Sequence, residues 1–368
     1  MEKKFLALIV TAAMLLSLAA CGSADEHSST GKSQNEQNAE DGTIAASYLF
    51  TDDVGRQVEI PSEITRIVPS APLAQIILMA IAPEMFVGLA AKLDNNTHGI
   101  IPENLFEIPY FGSLYAGPDL NVEELALTAP QIIIDIGEPK DSTKEDLDFL
   151  QEQTLIPSIY ISASLEGMPE TYRKLGKLLG KEEKGEELAA FCERIYDRTL
   201  SIMNNVGENK VSCLYVLGEE GLNVIASSSY HAELLDLLTN NVAVVDNPIS
   251  KGNGNEVTME QISIWNPEFV IFGPDSIYST VKDIETWNQL DAIVNGQYME
   301  VPDVPHNWMS MPPAVQRYLG LIWLTAELYP EYCNYDVKAE ILEYFELFYG
   351  CKLTNEQYDA ITANAFLK

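Results

Sequence analysis

Positive charge is scarce in this chain. Its 368 residues hold 22 Lys and Arg against 55 Asp and Glu, a formal net charge of −33. Nucleic-acid binding needs clustered cations and is excluded on that ground. The acidic surplus keeps a protein dispersed and says nothing by itself about ligand charge. Histidine is also sparse: His27, His98, His231 and His306 are scattered, with no HExxH pair to hold a catalytic zinc. No GxSxG elbow, GxGxxG turn or GxxxxGKS/T loop is present, so a hydrolase nucleophile, a dinucleotide cofactor and a P-loop all lack their signatures. Ser229-Tyr230-His231 is no triad, because sequence neighbours rarely face each other productively. The five cysteines show no CxxC spacing, and Cys192, Cys213, Cys333 and Cys351 in apolar surroundings read as buried thiols.

Apolar residues make up 46%, enough for two cores in a chain of this length. The chain is organised around residues 169–206, which contain no proline after Pro169. Leu175, Leu178 and Leu179 lie at helical spacing, with Gly180 a plausible stop. The pattern resumes through Leu188, Cys192, Ile195, Thr199 and Ile202. A helix of about 22 residues spans about 33 Å, the width of a small domain. The segment is therefore expected to join two lobes, 47–168 and 207–368, as a rigid strut.

Both flanks alternate strands with helices, which predicts parallel sheets. The first flank reads as a strand pair over 48–58, strands at 64–69, 86–90, 130–136 and 156–161, and helices at 73–81 and from Asp119. The second reads as strands at 210–217, 221–226, 242–245 and 269–272, with helices at 232–238, from Thr258, within 307–330 and over 335–349. The stretches NVEELALTAPQIIIDIG and VTMEQISIWNPEFVIFGP share one plan: an acidic helix start, a proline, then an apolar strand. Ligands of such sheets bind beyond the carboxyl ends of the strands. Facing loops then nominate Ser70, Lys92, Tyr110, Phe111 and Tyr115 on one side. Ser229, Tyr230, His231, Asn253, His306, Trp308 and Met309 are nominated on the other. Aromatic and methionine side chains suit a large apolar chelate, while Ser, Asn and helix N-termini suit anionic oxygens. Lys92 and Arg317, with Lys251, are the cations expected near the cleft. So few cations disfavour a strongly anionic ligand. His231 and His306 have the chemistry to reach a metal, but no resident metal site is assigned.

The N-terminus carries Lys3 and Lys4, an apolar run from Phe5 to Ala20, and then Cys21-Gly22. The run is too short to span a bilayer comfortably. Leu18-Ala19-Ala20-Cys21 resembles a bacterial lipoprotein lipobox. The resemblance implies a signal peptide over 1–20, cleavage before Cys21 and lipid on its thiol. Residues 21–46, rich in Ser, Glu, Asn, Asp and Gly, are expected to form a disordered tether. The folded part would then sit outside the cytoplasmic membrane as an anchored lipoprotein.

The order DDVGRQVEIPSEITRIVPSAP, FGSLYAGPDLNVEELALTAPQIII and GLIWLTAELYPEYCNYD…ILEYFELFYG resembles solute-binding proteins of ATP-binding-cassette importers. The group resembled serves iron-siderophores, haem, cobalamin and related metal compounds, and the likeness covers about residues 48–350. It implies an α/β fold of two Rossmann-like lobes joined by a single long helix, the class III architecture. It also implies a monomeric carrier with no catalysis and no cofactor, whose partners are a metal compound, a permease and its ATPase. By the same resemblance Glu123 and Glu260 would meet permease arginines. Members taking molybdate or tungstate make an oxoanion the alternative cargo. An extracytoplasmic hydrolase or an adhesin is the alternative from another class.

Overall fold

The computed structural model describes residues 46–115, 121–249 and 252–367. The signal segment 1–20, the lipidation candidate Cys21, the tether up to residue 45, and Lys251 lie outside the described residues. An antiparallel hairpin opens the described chain, β1 (Ser47–Thr51) with β2 (Gln57–Pro61), Ser47 opposite Pro61. Val58 and Ile60 point inward and Gln57 and Glu59 outward, the period-two alternation of a half-buried strand. Arg56 pins the hairpin to the first lobe. Its Nη1 donates to the Ser158 carbonyl at 2.6 Å, and its Nε donates to Asp148 at 2.8 Å.

The first sheet is parallel, in the order β3 (Ile67–Pro69), β4 (Ile132–Gly137), β5 (Ser158–Ser162). Helices α1 (Pro72–Ile81), α2 (Val122–Leu127) and α3 (Thr143–Thr154) accompany it. Every residue of β4 is buried, because both of its faces are covered. Ile132, Ile134 and Ile136 join the cluster that holds α1, while Ile133 packs with Leu125 of α2 and Leu150 of α3.

The expected single helix over 169–206 is two helices, α4 (Met168–Leu179) and α5 (Glu182–Val206). Gly180, at φ 64°, ends the first in the left-handed region that glycine adopts without cost. The connecting element is α5, whose 25 residues span about 37 Å. Helix α4 folds back on it, with Gly176 and Gly185 at the contact.

The second lobe contains β6 (Ser212–Leu217), β7 (Asn223–Val224), α6 (Glu233–Leu238), β8 (Asn240–Asn241) and β9 (Asn255–Glu256). There follow α7 (Met259–Trp265), β10 (Phe269–Phe272), α8 (Asp291–Val294) and β11 (Tyr298–Glu300). Its sheet runs β11-β10-β6-β7-β9, with β8 also beside β6. Pairs β10–β11, β10–β6 and β6–β8 are parallel, whereas β7 and β9 are antiparallel additions. Helices α9 (Arg317–Leu328), α10 (Val337–Tyr349) and α11 (Asn355–Ile361) close the chain. Phe191 of α5 stacks edge-on against Tyr344 and Phe348 of α10, so an aromatic seam holds the connector to the C-terminal helix.

Several expected elements shift. Residues 86–90 contribute only isolated parallel bridges, Ile67–Phe86 and Leu89–Tyr110. Residues 242–245 form no strand, and the pairing there belongs to Asn240–Asn241. The expected start of α2 at Asp119 falls among residues outside the description, and the helix is described from Val122. No helix among the described residues is long and apolar enough to cross a membrane.

Candidate ligand-binding cleft

The carboxyl ends of β3 and β4 face the second lobe across a cavity of about 580 Å³. The first lobe supplies the start of α1 (Ala71 to Leu73), Tyr115, the end of β4 from Asp135 to Glu138, Lys140, and Tyr160. The second supplies Tyr230, His231, Gly252 and the Met311-Pro312-Pro313 turn. A hollow of about 980 Å³ adjoins it and shares Gly137, Glu138 and Tyr230.

Asp135 organises the floor. Its carboxylate accepts from the Ser70 hydroxyl and from the Tyr115 hydroxyl, the latter at 2.8 Å. Burial pushes its pKa up, and those two hydrogen bonds pull the other way. The same burial, with Asp135 close by, raises the Tyr115 phenol, so Tyr115 stays a neutral donor. Tyr160 donates to the Gly137 carbonyl at 2.5 Å and fixes the strand end. On the far wall, Tyr230 donates to the Ala163 carbonyl of the first lobe at 2.8 Å. Burial lowers the His231 pKa, so the ring is neutral near pH 7. Its Nδ1 is buried with no hydrogen-bond partner among the described residues. His231 and Met311 flank the same point: a Cβ on Gly252 would lie 3.8 Å from the His231 ring and from the Met311 sulfur.

Of the residues nominated from sequence, Tyr115, Tyr230 and His231 line this cavity, and Ser229 lines the adjoining hollow. Ser70 is fully buried beneath it and acts on the site through Asp135. The others lie elsewhere. Trp308 and Met309 are core residues, 0% and 1% exposed, because the loop carrying them turns inward onto α9. The Trp308 ring packs against Trp323. His306 packs near Tyr349 with its Nε2 buried. Lys92 sits 5.3 Å from the centre of the Tyr110 ring, and Phe111 packs towards Gly88. Asn253 is exposed outside the cavity lining.

Arg317 lies near the cleft as expected, its guanidinium 5.4 Å from the centre of the Tyr230 ring, but behind the wall and not in the lining. It is fully buried, and its Nη1 donates to Glu233 at 2.6 Å. Glu233 in turn accepts from the Leu165 backbone at 3.0 Å, tying α6 to the chain entering α4. Sequence reasoning missed Asp135, Lys140, Tyr160 and Met311. Asp135 had a visible signal, as the one charged residue inside the apolar run PQIIIDI.

A family model described as periplasmic binding protein matches residues 110–305. The chain belongs to the periplasmic binding protein family. It is similar to the solved ABC transporter solute-binding protein of Sulfurospirillum deleyianum, at 27% identity and a TM-score of 0.77, covering 86% of this chain and 99% of that one. The molybdate periplasmic binding protein of Haemophilus influenzae, solved with molybdate, aligns at 18% identity and a TM-score of 0.67, covering 83% and 99%. The periplasmic catecholate-siderophore binding protein of Vibrio cholerae aligns at 19% identity and a TM-score of 0.55, covering 77% and 100%. The last two likenesses show the shared fold. No match was found among curated proteins.

As a periplasmic binding protein the chain has the α/β architecture expected of it, two Rossmann-like lobes joined by a long helix. The family is extracytoplasmic, delivers solutes to ABC permeases, and is generally non-enzymatic.

Proposed function

We propose that this periplasmic binding protein captures a metal-containing compound of the iron-siderophore, haem or corrinoid type and hands it to its permease. The observation that carries this reading is the cleft: about 580 Å³, walled by Tyr115, Tyr160, Tyr230 and Met311, and continuous with a larger hollow. That volume suits a ligand of several hundred daltons, with aromatic walls for its apolar faces. An oxoanion cargo is supported less well. Among the described residues Lys140 is the one lysine or arginine lining the 580 Å³ cavity, against Asp135, Glu138 and Asp146, and in the adjoining hollow Arg173, Lys174 and Lys177 are outnumbered by Asp53, Glu138, Glu170, Glu233 and Asp236. The same balance argues against a strongly anionic chelate. Tyr115, Tyr230 and His231 are the proposed ligand contacts. The carrier is anchored through lipid on Cys21, and Glu123 and Glu260 face the permease.

Thermal unfolding with ferric siderophores of differing charge, haem, cobalamin, molybdate and tungstate tests the cargo. A ligand at 100 times its Kd stabilises by about 2.7 kcal/mol, a shift of several degrees. A shift with an amino acid or a sugar, and with no metal compound, overturns the reading. Replacing Cys21 with Ser tests the anchor. Radiolabelled fatty acid entering that variant would refute it.

A further inference from the structure

The two lobes repeat one surface unit residue for residue. Asn121 caps α2 by accepting from the Glu124 amide at 3.1 Å, and Thr258 caps α7 by accepting from the Gln261 amide at 3.2 Å. Two positions on stand Glu123 and Glu260, both exposed. Leu125 and Ile262, each 0% exposed, root the two helices in their lobes. Ala129 and Asn266 then both take positive φ, at 47° and 37°, before Pro130 and Pro267 lead into β4 and β10.

Within this shared frame lies a feature that packing does not require. Leu127 is 86% exposed and Ile264 is 70% exposed. Each stands four residues after the acid of its own helix, so acid and apolar side chain share one face, about 6 Å apart along the axis. The buried Leu125 and Ile262 hold that face outward. A single exposed leucine is ordinary. Two of them, in equivalent registers and each behind an acid, form a repeated patch.

We propose that Leu127 and Ile264 are the apolar anchors of the permease-docking face, each entering a hollow beside a cation that meets Glu123 or Glu260. The repeated patch fits a partner that presents the same site twice, as a two-fold symmetric membrane dimer does. The acids select a cationic partner and set its orientation. The buried apolar side chains then slow its release. This inference rests on the carrier reading and on docking through the two acids.

The test measures binding of the purified protein to the permease–ATPase complex of its transporter in lipid nanodiscs, over a range of salt. Leu127→Ser with Ile264→Ser should weaken binding at least tenfold and preserve the salt dependence. Glu123→Ala with Glu260→Ala should weaken binding and flatten the salt dependence. Val244→Ser, at another exposed apolar position, should change nothing. Full binding by the Leu127/Ile264 variant, with the acid variant impaired, overturns the apolar anchors and leaves acid docking standing. Indifference of both variants overturns docking through this face altogether. Self-association of the wild type in sedimentation, abolished by the Leu127/Ile264 variant, would assign the patches to a second copy of this chain and refute the proposal.

Discussion

His306 should make this protein lose stability between pH 6.5 and 4, and His306→Gln should remove that loss. The ring lies near Tyr349, centroids 6.5 Å apart, and its Nε2 is buried with no hydrogen-bond partner among the described residues. Burial lowers its pKa from 6.5 to about 4. In that interval the unfolded chain takes a proton that the folded chain refuses, so stability falls as pH falls. The contribution is intact above pH 6.5 and fully lost below pH 4. At about 1.36 kcal/mol per unit, the drop from 6.5 to about 4 amounts to roughly 3–4 kcal/mol at the acid end, about three-quarters of it already lost at pH 4.5. Other groups titrate in the same range, so the informative quantity is the difference between wild type and variant. Urea unfolding at pH 7.5 and pH 4.5 measures it. The variant should lose about 2–3 kcal/mol less than the wild type on acidification. Parallel pH profiles would refute the burial argument. The ligand panel at pH 7.5 asks the functional question: unchanged affinity agrees with a core role, and a tenfold loss would bring His306 back to the site.

Arg56→Met breaks a buried ion pair with Asp52 and strips the Ser158 carbonyl of its donor; a loss of about 3–5 kcal/mol is expected, read as a lower urea midpoint, and an unchanged midpoint would show the hairpin to be peripheral. Gly185→Ala would put a Cβ 2.7 Å from the Tyr172 carbonyl oxygen and 3.0 Å from the Gly176 Cα. The overpacking cost, about 1–3 kcal/mol, should outweigh the roughly 1 kcal/mol helix-propensity gain, so a raised Tm would contradict the close α4–α5 contact. Tyr115→Phe removes one of the two hydroxyls that donate to Asp135. Calorimetry with whichever panel compound shifts Tm should show up to about a tenfold weaker Kd, and equal affinity would show that the Tyr115 hydroxyl does not act on the ligand.

The two-lobed plan was legible because parallel strands buried on both faces leave continuous apolar runs, such as PQIIIDI and FVIF. Helix α3 was not, since Leu147 and Leu150 are its buried leucines in an otherwise polar stretch. The break at Gly180 showed as a stop signal, but not that α4 would turn back against α5. That depends on two glycines, Gly176 and Gly185, close enough that no side chain fits between the helices.

The site divides along a similar line. Local pattern located most of the strands and their carboxyl ends, and hence placed Tyr115, Tyr230 and His231 beyond strand ends, but it also read strands at 86–90 and 242–245 where only isolated bridges or a neighbouring pair form. Tertiary structure decides which way each loop turns. Asn307, Trp308 and Met309 sit two to four residues from Met311, yet Trp308 and Met309 face the core while Met311 faces the cleft. Arg317 stands behind the cleft wall against Tyr230, its charge paired with Glu233 from another helix, a placement that no local pattern shows. Polarity and spacing are properties of neighbours in the chain, whereas burial is set by elements far apart in it. The electrostatic character of the cleft, with Asp135 at its floor and Lys140 at its wall, follows only once the lobes close around it.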